Sequence, residues 1–340
     1  MQLKQIHRWL GLCLVAVMLV ISLTGTVLLW KREYLWITIP DARQLLELGP
    51  TAISDAVLVM QDFYSDHELS FVQLGSENLS LHRGYLSNKR YAWHNQKGTQ
   101  LEVWQGNDRF EDWLLELHHR FLLGNTIGLN IAGFGGLLLL LLMFIGFWLW
   151  WPRRQFFKLG LVPRSNDRGA WMRSHANLGA LSLIPVMVLS ISGVILVYPT
   201  ESKRVLVDGF QAPAVSVKEQ IELPQQPTLF AALELVEQQF PSSRPRWISL
   251  PSAERKSFVI GLQVQGAWNR MGNTSMTFYP DGRLTITRAE LQSSLKRGFD
   301  FSYPLHTGKF DWYWRLLISI IGLSLSALCV YALRSYLKRS

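Results

Sequence analysis

The sequence predicts a membrane protein: a core of four transmembrane helices arranged as a parallel two-fold repeat, with two small α+β domains outside the membrane. Three observations predict it. Four apolar runs, near 10–30, 127–151, 178–198 and 314–333, are each about 20 residues long, enough to cross a hydrocarbon core of roughly 30 Å at about 1.5 Å per residue. None holds an acidic residue or a lysine. An ungapped alignment of His7 with His175 brings Gly11 onto Gly179, Gly25 onto Gly193 and Glu33 onto Glu201, so the halves repeat. Between the apolar runs lie two long polar segments that alternate helical and strand periodicity.

The elements follow in order. Residues 1–30 hold the first span. Its apolar stretch is too long for a secretory signal, and LLWKREYLW follows it in place of a small-residue cleavage site. Residues 31–126 form the first outer domain, with AISDAVLVMQDFYSD as a helix. ELSFVQLG, NLSLHRGYL and KRYAWHNQKGTQLEV supply its strands, and Asn95-Gln96-Lys97-Gly98 its turn. Residues 127–151 are the second span, ending at Trp148, Trp150 and Trp151, where an interfacial aromatic belt belongs. The loop 152–174 is too short for a catalytic domain. Residues 175–198 are the third span, 199–311 the second outer domain, 312–334 the fourth span and 335–340 a tail. In the second outer domain TLFAALELVEQQF reads as an amphipathic helix opened by a threonine cap. RWISLP, KSFVIGLQVQ and SMTFYPDGRLTIT read as strands, with Pro280-Asp281-Gly282 as a hairpin turn.

A net charge of +9 invites a nucleic-acid reading, but its distribution argues against one. Lys4 and Arg8, then Arg153, Arg154, Lys158, Arg164, Arg168 and Arg173, then Arg334, Lys338 and Arg339 flank the spans on one side. The positive-inside rule makes that side cytoplasmic. Both termini then face the cytoplasm of a bacterial inner membrane, and the two long segments lie in the periplasm. The lipid bilayer is the expected partner; nucleic acid is not. Cys13 and Cys329 fall inside spans and form no CxxC, so they read as small apolar residues.

Five of the eight histidines carry the functional reading. His67, His82 and His94 lie in the first outer domain and read as exposed polar residues. His7 and His175 open the first and third spans at the cytoplasmic side, while His118 or His119, and His306, precede the second and fourth at the other. The topology therefore sorts them into two facing pairs. Ionisable groups close to the membrane core are costly and are candidates for function. Two imidazoles per side are too few for a usual zinc site, but they suit the two axial positions of a b-type haem, giving two haems per chain. The alternative is that each histidine caps a helix end or sits among headgroups. Gly11 and Gly179 lie four residues beyond their histidines on the same helix face, and Gly25 and Gly193 lie 18 residues beyond. They are expected to make room for the macrocycle; ordinary close helix packing would place them equally well. Without a CxxCH the haem would be non-covalent.

HRWLGL running into TGTVLLW, LHHRFLLG before a glycine-bearing helix ending WLWWPRR, SHANLG running into SGVILVY, and PLHTGKF before the last helix resemble the PepSY-associated transmembrane proteins over essentially the whole chain. The resemblance implies a four-helix core with two periplasmic PepSY-like domains. It also implies kinship with haem-containing inner-membrane siderophore reductases, which reduce siderophore-bound ferric iron. His7, His175 and His306 match the motif histidines, and His118 matches the LH position, with the adjacent His119 as a fallback. Unlike some relatives, the chain has no fused flavin and nicotinamide domain and no GxGxxG after a strand. Its electron donor is then external, a quinol or a separate reductase or soluble reductant. Tyr303, Trp312 and Arg120 could shape the surface where a ferric siderophore docks. Two other readings are a non-enzymatic PepSY sensor and an iron or siderophore permease. No Ser–His–Asp or HExxH pattern supports a hydrolase.

Overall fold

The structure is a computed structural model that describes residues 2–44, 49–65, 68–209, 218–252, 255–265, 271–309 and 311–338. His67 and Arg339, both named above, fall outside the described residues. In chain order the helices are α1 (Gln2–Leu28), α2 (Lys31–Thr38), α3 (Pro50–Asp62), α4 (Phe110–Arg120), α5 (Gly124–Trp150), α6 (Arg168–Val197), α7 (Pro199–Lys203), α8 (Leu229–Gln239), α9 (Ser294–Thr307) and α10 (Trp312–Leu337). The strands are β1 (Leu69–Gln73), β2 (His82–Leu86), β3 (Arg90–His94), β4 (Gln100–Gln105), β5 (Lys218–Glu222), β6 (Arg244–Ser249), β7 (Phe258–Gln263), β8 (Thr274–Phe278) and β9 (Arg283–Thr287). The chain divides into two compact units, one of Met1–Trp30, Glu111–Phe210 and Ser302–Ser340, the other of Lys31–Phe110 and Gln211–Phe301.

The first unit is a helical bundle. α1, α5, α6 and α10 are each long and apolar enough to cross a membrane. α1 packs on α5 and α10, and α6 packs on the same two, closing a ring of four. Their outward faces are oily: Phe144, Trp148, Ile184 and Ile320 are all more than half exposed. Apolar surface of this extent is stable only against lipid. α6 starts seven residues earlier than the expected third span, at Arg168, because the Asp167 carboxylate accepts a hydrogen bond from the Ala170 N–H and caps it. His175 therefore sits two turns inside the helix.

Small polar side chains knit α1 to α10. The Ser22 and Ser326 hydroxyls lie 2.7 Å apart, and Gly322 leaves space for Thr26. The Trp30 indole donates to Ser319 Oγ at 3.1 Å. In an apolar surrounding such bonds fix helix register, since an unpaired hydroxyl has no water to turn to.

The second unit is built on a single antiparallel sheet of nine strands in the order β4-β3-β2-β1-β6-β7-β8-β9-β5. Two separate small domains were expected. Instead β1 of the first half pairs with β6 of the second, Phe71 opposite Ser249 and Val72 opposite Ile248. The reason is edge burial: two short half-sheets would each leave an unpaired edge strand, and joining them satisfies both. α3 and α8 pack together and share one core with the sheet, in which Val57, Met60, Ala232, Ile248, Ile260 and Met276 are fully buried. The Thr228 hydroxyl caps α8 as expected, accepting from the Ala231 N–H.

Both expected turns are present. Asn95 Oδ1 accepts from the N–H groups of Lys97 and Thr99 between β3 and β4, with Gly98 at φ +83. Gly282, at φ +87, turns β8 into β9. A ladder of rings also crosses the first half-sheet: Phe71, Tyr85, Tyr91 and Trp104 on neighbouring strands have successive centroids 5.2, 5.5 and 5.9 Å apart. Such pairs each contribute about 0.2–1 kcal/mol.

Candidate functional site

The helical unit brings four histidines into two pairs. His7 on α1 faces His175 on α6, with ring centroids 6.4 Å apart and planes at 74°. His118 on α4 faces His306 on α9, with centroids 6.3 Å apart and planes at 46°. The histidines of the second pair come shortly before α5 and α10 in the chain. Each lies on a separate short helix that folds back onto the bundle. The α4 end is held against α5 because Gly128 leaves no side chain in the way of the Arg120 carbonyl. α9 is pinned by the Trp314 indole, which donates to Leu305 O at 2.8 Å.

Hydrogen bonds orient the rings. His118 Nδ1 lies 3.0 Å from both Ile21 O and Thr24 Oγ1. Thr24 spends its own proton on Val20 O, so the imidazole N–H is the donor. His306 Nδ1 lies 3.1 Å from both Leu189 O and Ser192 Oγ, and the Ser192 hydroxyl donates to Leu189 O. His175 Nδ1 donates to Leu328 O at 3.1 Å. A proton fixed on Nδ1 leaves the Nε2 lone pair free, which is the tautomer a metal takes. Two imidazoles on opposite sides of one metal would have centroids about 6.2 Å apart, from two metal–nitrogen bonds of about 2.0 Å and about 1.1 Å more to each ring centre. Both pairs match that spacing. No third His, Cys, Asp or Glu joins them in a metal-holding group among the described residues.

The expected glycines differ in what they border. Gly25 and Gly193 were expected to admit a macrocycle. A Cβ on Gly25 would stand 2.7 Å from His118 Cε1, and one on Gly193 would stand 3.0 Å from His306 Cε1. These glycines seat the imidazoles themselves. Gly146 on α5 does the same for His7, with a Cβ at 3.1 Å from Cε1. A Cβ on Gly11 meets nothing within 4 Å, and one on Gly179 meets only Leu328 at 3.7 Å. Those two positions do border open or loosely filled space.

His119 is exposed, with its ring 5.6 Å from His118; it is His118 that stands opposite His306. Of the three residues expected to shape a docking surface, each has a local partner. Tyr303 Oη accepts from Lys309 Nζ at 3.0 Å, Trp312 packs on Tyr313, and Arg120 pairs with Glu116. Sequence reasoning missed Thr24, Ser192 and Gly146. A clue to the first two was present: each directly precedes one of the aligned glycines, Gly25 and Gly193.

His82 and His94, expected to be exposed, are buried and stand opposite each other on β2 and β3. His82 accepts from the Gly75 N–H and donates to Gln96 O, and Tyr64 Oη lies 2.9 Å from His94 Nε2. Burial pulls both imidazoles down to about 4 and pushes the Tyr64 phenol up to about 12. They are uncharged structural members of the sheet.

No curated protein matches the chain. The family model of the PepSY-associated TM region matches residues 4–339. Together with four membrane-length helices and a separate antiparallel sheet, that match makes this a multi-pass membrane protein belonging to the PepSY-associated transmembrane family.

Proposed function

We propose that the protein is a dihaem b-type electron-transfer protein of the bacterial inner membrane. On this reading it reduces ferric iron in siderophore complexes at the periplasmic side, releasing iron during uptake. The observation that carries the reading is the pair of two-imidazole sites, at 6.4 and 6.3 Å between ring centres, with no further protein ligand beside them among the described residues. Two nitrogens alone do not make a zinc site. They suit a metal whose other four positions are already filled, as those of haem iron are. His7 and His175 would hold one haem b, and His118 and His306 the other. Bound there, haem supplies reversible one-electron chemistry.

The chain's own residues do the rest. Ile21 O, Leu189 O and Leu328 O hold three rings in a ligating tautomer. The two sites lie toward opposite ends of α1, which His7 enters and Gly25 leaves. The parallel repeat is supported by the contacts of the second pair. His118 meets Ile21 and Thr24, while His306 meets Leu189 and Ser192, the positions equivalent to them in the ungapped alignment. Basic residues cluster at the His7 end, which supports a cytoplasmic placement of that end and of both termini. The sheet unit would then be periplasmic. The electron donor is external, a quinol or a reductase. The siderophore as substrate rests on the family resemblance and on ligand chemistry: hard oxygen chelators hold ferric iron better than the softer ferrous ion.

An absorption spectrum of detergent-purified protein, oxidised and then dithionite-reduced, tests the reading. About two haems per chain with a sharp reduced b-type signal is the expected result. A colourless protein that takes up no added haem refutes it and favours a PepSY sensor.

A further inference from the structure

Each of the four paired imidazoles meets a backbone carbonyl, but only the second pair adds a hydroxyl. At the first pair the carbonyl is that of Leu142 for His7 and that of Leu328 for His175. No side-chain hydroxyl bonds either of those rings among the described residues. At the second pair Thr24 Oγ1 lies 3.0 Å from His118 Nδ1, beside Ile21 O. Ser192 Oγ lies 3.1 Å from His306 Nδ1, beside Leu189 O. Both hydroxyls are buried, at 7% and 2% exposure. Each gives its own proton to its helix, Thr24 to Val20 O at 2.6 Å and Ser192 to Leu189 O at 3.0 Å. That leaves only oxygen lone pairs for the imidazole N–H. The arrangement occurs twice, at equivalent positions of the two halves, each time directly before the glycine that seats the ring.

An acceptor on the second ring nitrogen holds the plane of a ligating imidazole and makes its other nitrogen a stronger donor. Stronger donation favours the oxidised, more highly charged state of a bound metal, and hydrogen bonding around a haem is one of the protein's means of setting its potential. Resting on the function proposed above, we infer that Thr24 and Ser192 are positioning residues that set the reduction potential of the His118–His306 site. Each supplies one imidazole with a second acceptor that the His7–His175 site lacks. The two hydroxyls lower the potential of their site, making it a stronger reductant than its carbonyls alone would.

The test is a potentiometric titration of full-length protein in lipid nanodiscs, followed by haem absorbance, with haem counted per chain. H306A, and independently H118A, identifies which of the two one-electron waves belongs to the second pair. S192A differs from the wild-type protein by the hydroxyl alone, and T24A differs from T24S by the hydroxyl alone. The expected result is that T24A and S192A each move the wave of the second pair to a more positive potential. T24S leaves it in place, and the wave of the first pair does not move. A loss of about 10-fold in preference for the oxidised state, the low end for a lost outer partner because the carbonyl remains, is a shift of about 59 mV. Two haems with both waves unmoved in T24A and S192A overturn the inference and leave the proposed function standing. A shift that T24S shares also overturns it, by tracing the effect to the Thr24 methyl, and so does a shift confined to the wave of the first pair. A protein without haem refutes the proposed function and this inference with it.

Discussion

Gly25→Ala places a single methyl group against the second histidine pair. The new Cβ would stand 2.7 Å from Cε1 and 3.3 Å from Nδ1 of His118. Ordinary carbon contact begins near 3.4 Å, so the ring must retreat by about 0.7 Å in a close-packed setting. It has little freedom to do so. Its Nδ1 is tied to Ile21 O and Thr24, both on the helix that carries the new methyl. Behind it, the end of α4 is closed by two left-handed residues, Phe121 at φ 52 and Leu122 at φ 61, and lies against Gly128. Overpacking of this kind costs about 1–3 kcal/mol. If that strain falls on the pair, affinity for its cofactor drops by roughly 5–150-fold. The assay is haem per chain and the reduced visible spectrum of the variant, with Gly11→Ala as control. G25A should lose the haem of the second pair and keep that of the first, and G11A should lose neither. A G25A protein with two haems and an unaltered spectrum would refute the placement of a haem between His118 and His306.

Other outcomes follow from the same geometry. His306→Ala should leave about one haem per chain and abolish ferric-chelate reduction; retention of two haems contradicts the ligand assignment. The sheet should be acid-sensitive. His82 and His94 sit at about 4 when folded against 6.5 as the ordinary value, so the unfolded chain binds more protons between those pH values. Their contribution, ~3 kcal/mol per imidazole, is complete above pH 6.5 and is lost as pH falls toward 4. Thermal melts of the sheet signal across pH 4–7 should show that slope, and a flat profile counts against buried neutral histidines. Tyr64→Phe removes the partner of His94 Nε2 and should cost about 1–3 kcal/mol in chemical unfolding at pH 7. Asp311→Ala removes the cap that accepts from the Trp314 N–H at 2.6 Å, and should lower thermal stability by about 1 kcal/mol.

Much of the architecture is legible in local signals. The spans announce themselves by length and by the lack of charge, and α8 by its threonine cap and helical periodicity. The two turns read directly from Asn95 to Gly98 and from Pro280 to Gly282. What escaped depends on partners distant in sequence. β5, with the sequence KEQIE, has no strand-like alternation and exists because β9 offers it an edge. The junction of β1 with β6 leaves no mark in either segment. α4 and α9 are amphipathic but short, and each ends a few residues before a span, so the helices carrying His118 and His306 read as approaches to the spans. The pairing of the histidines was visible from the repeat, whereas the purpose of Gly25 and Gly193 was not. A glycine in a helix says that something comes close, and only the fold reveals that it is an imidazole. His82 and His94 were misjudged for a related reason: polar side chains on short strands read as solvated until the partners that bury them are known.

The joined sheet also sets a schedule for biosynthesis. Phe71 and its pairing partner Ser249 are separated by about 180 residues, which take about 10–35 s to synthesise at ~5–20 residues per second. Once β4 has been made, the first half-sheet has β1 as an open edge for the rest of that interval, a ready template for pairing with another chain. The newborn protein is therefore most exposed to aggregation before β6 has been made, and a holdase acting in that window would protect it more than one acting after release.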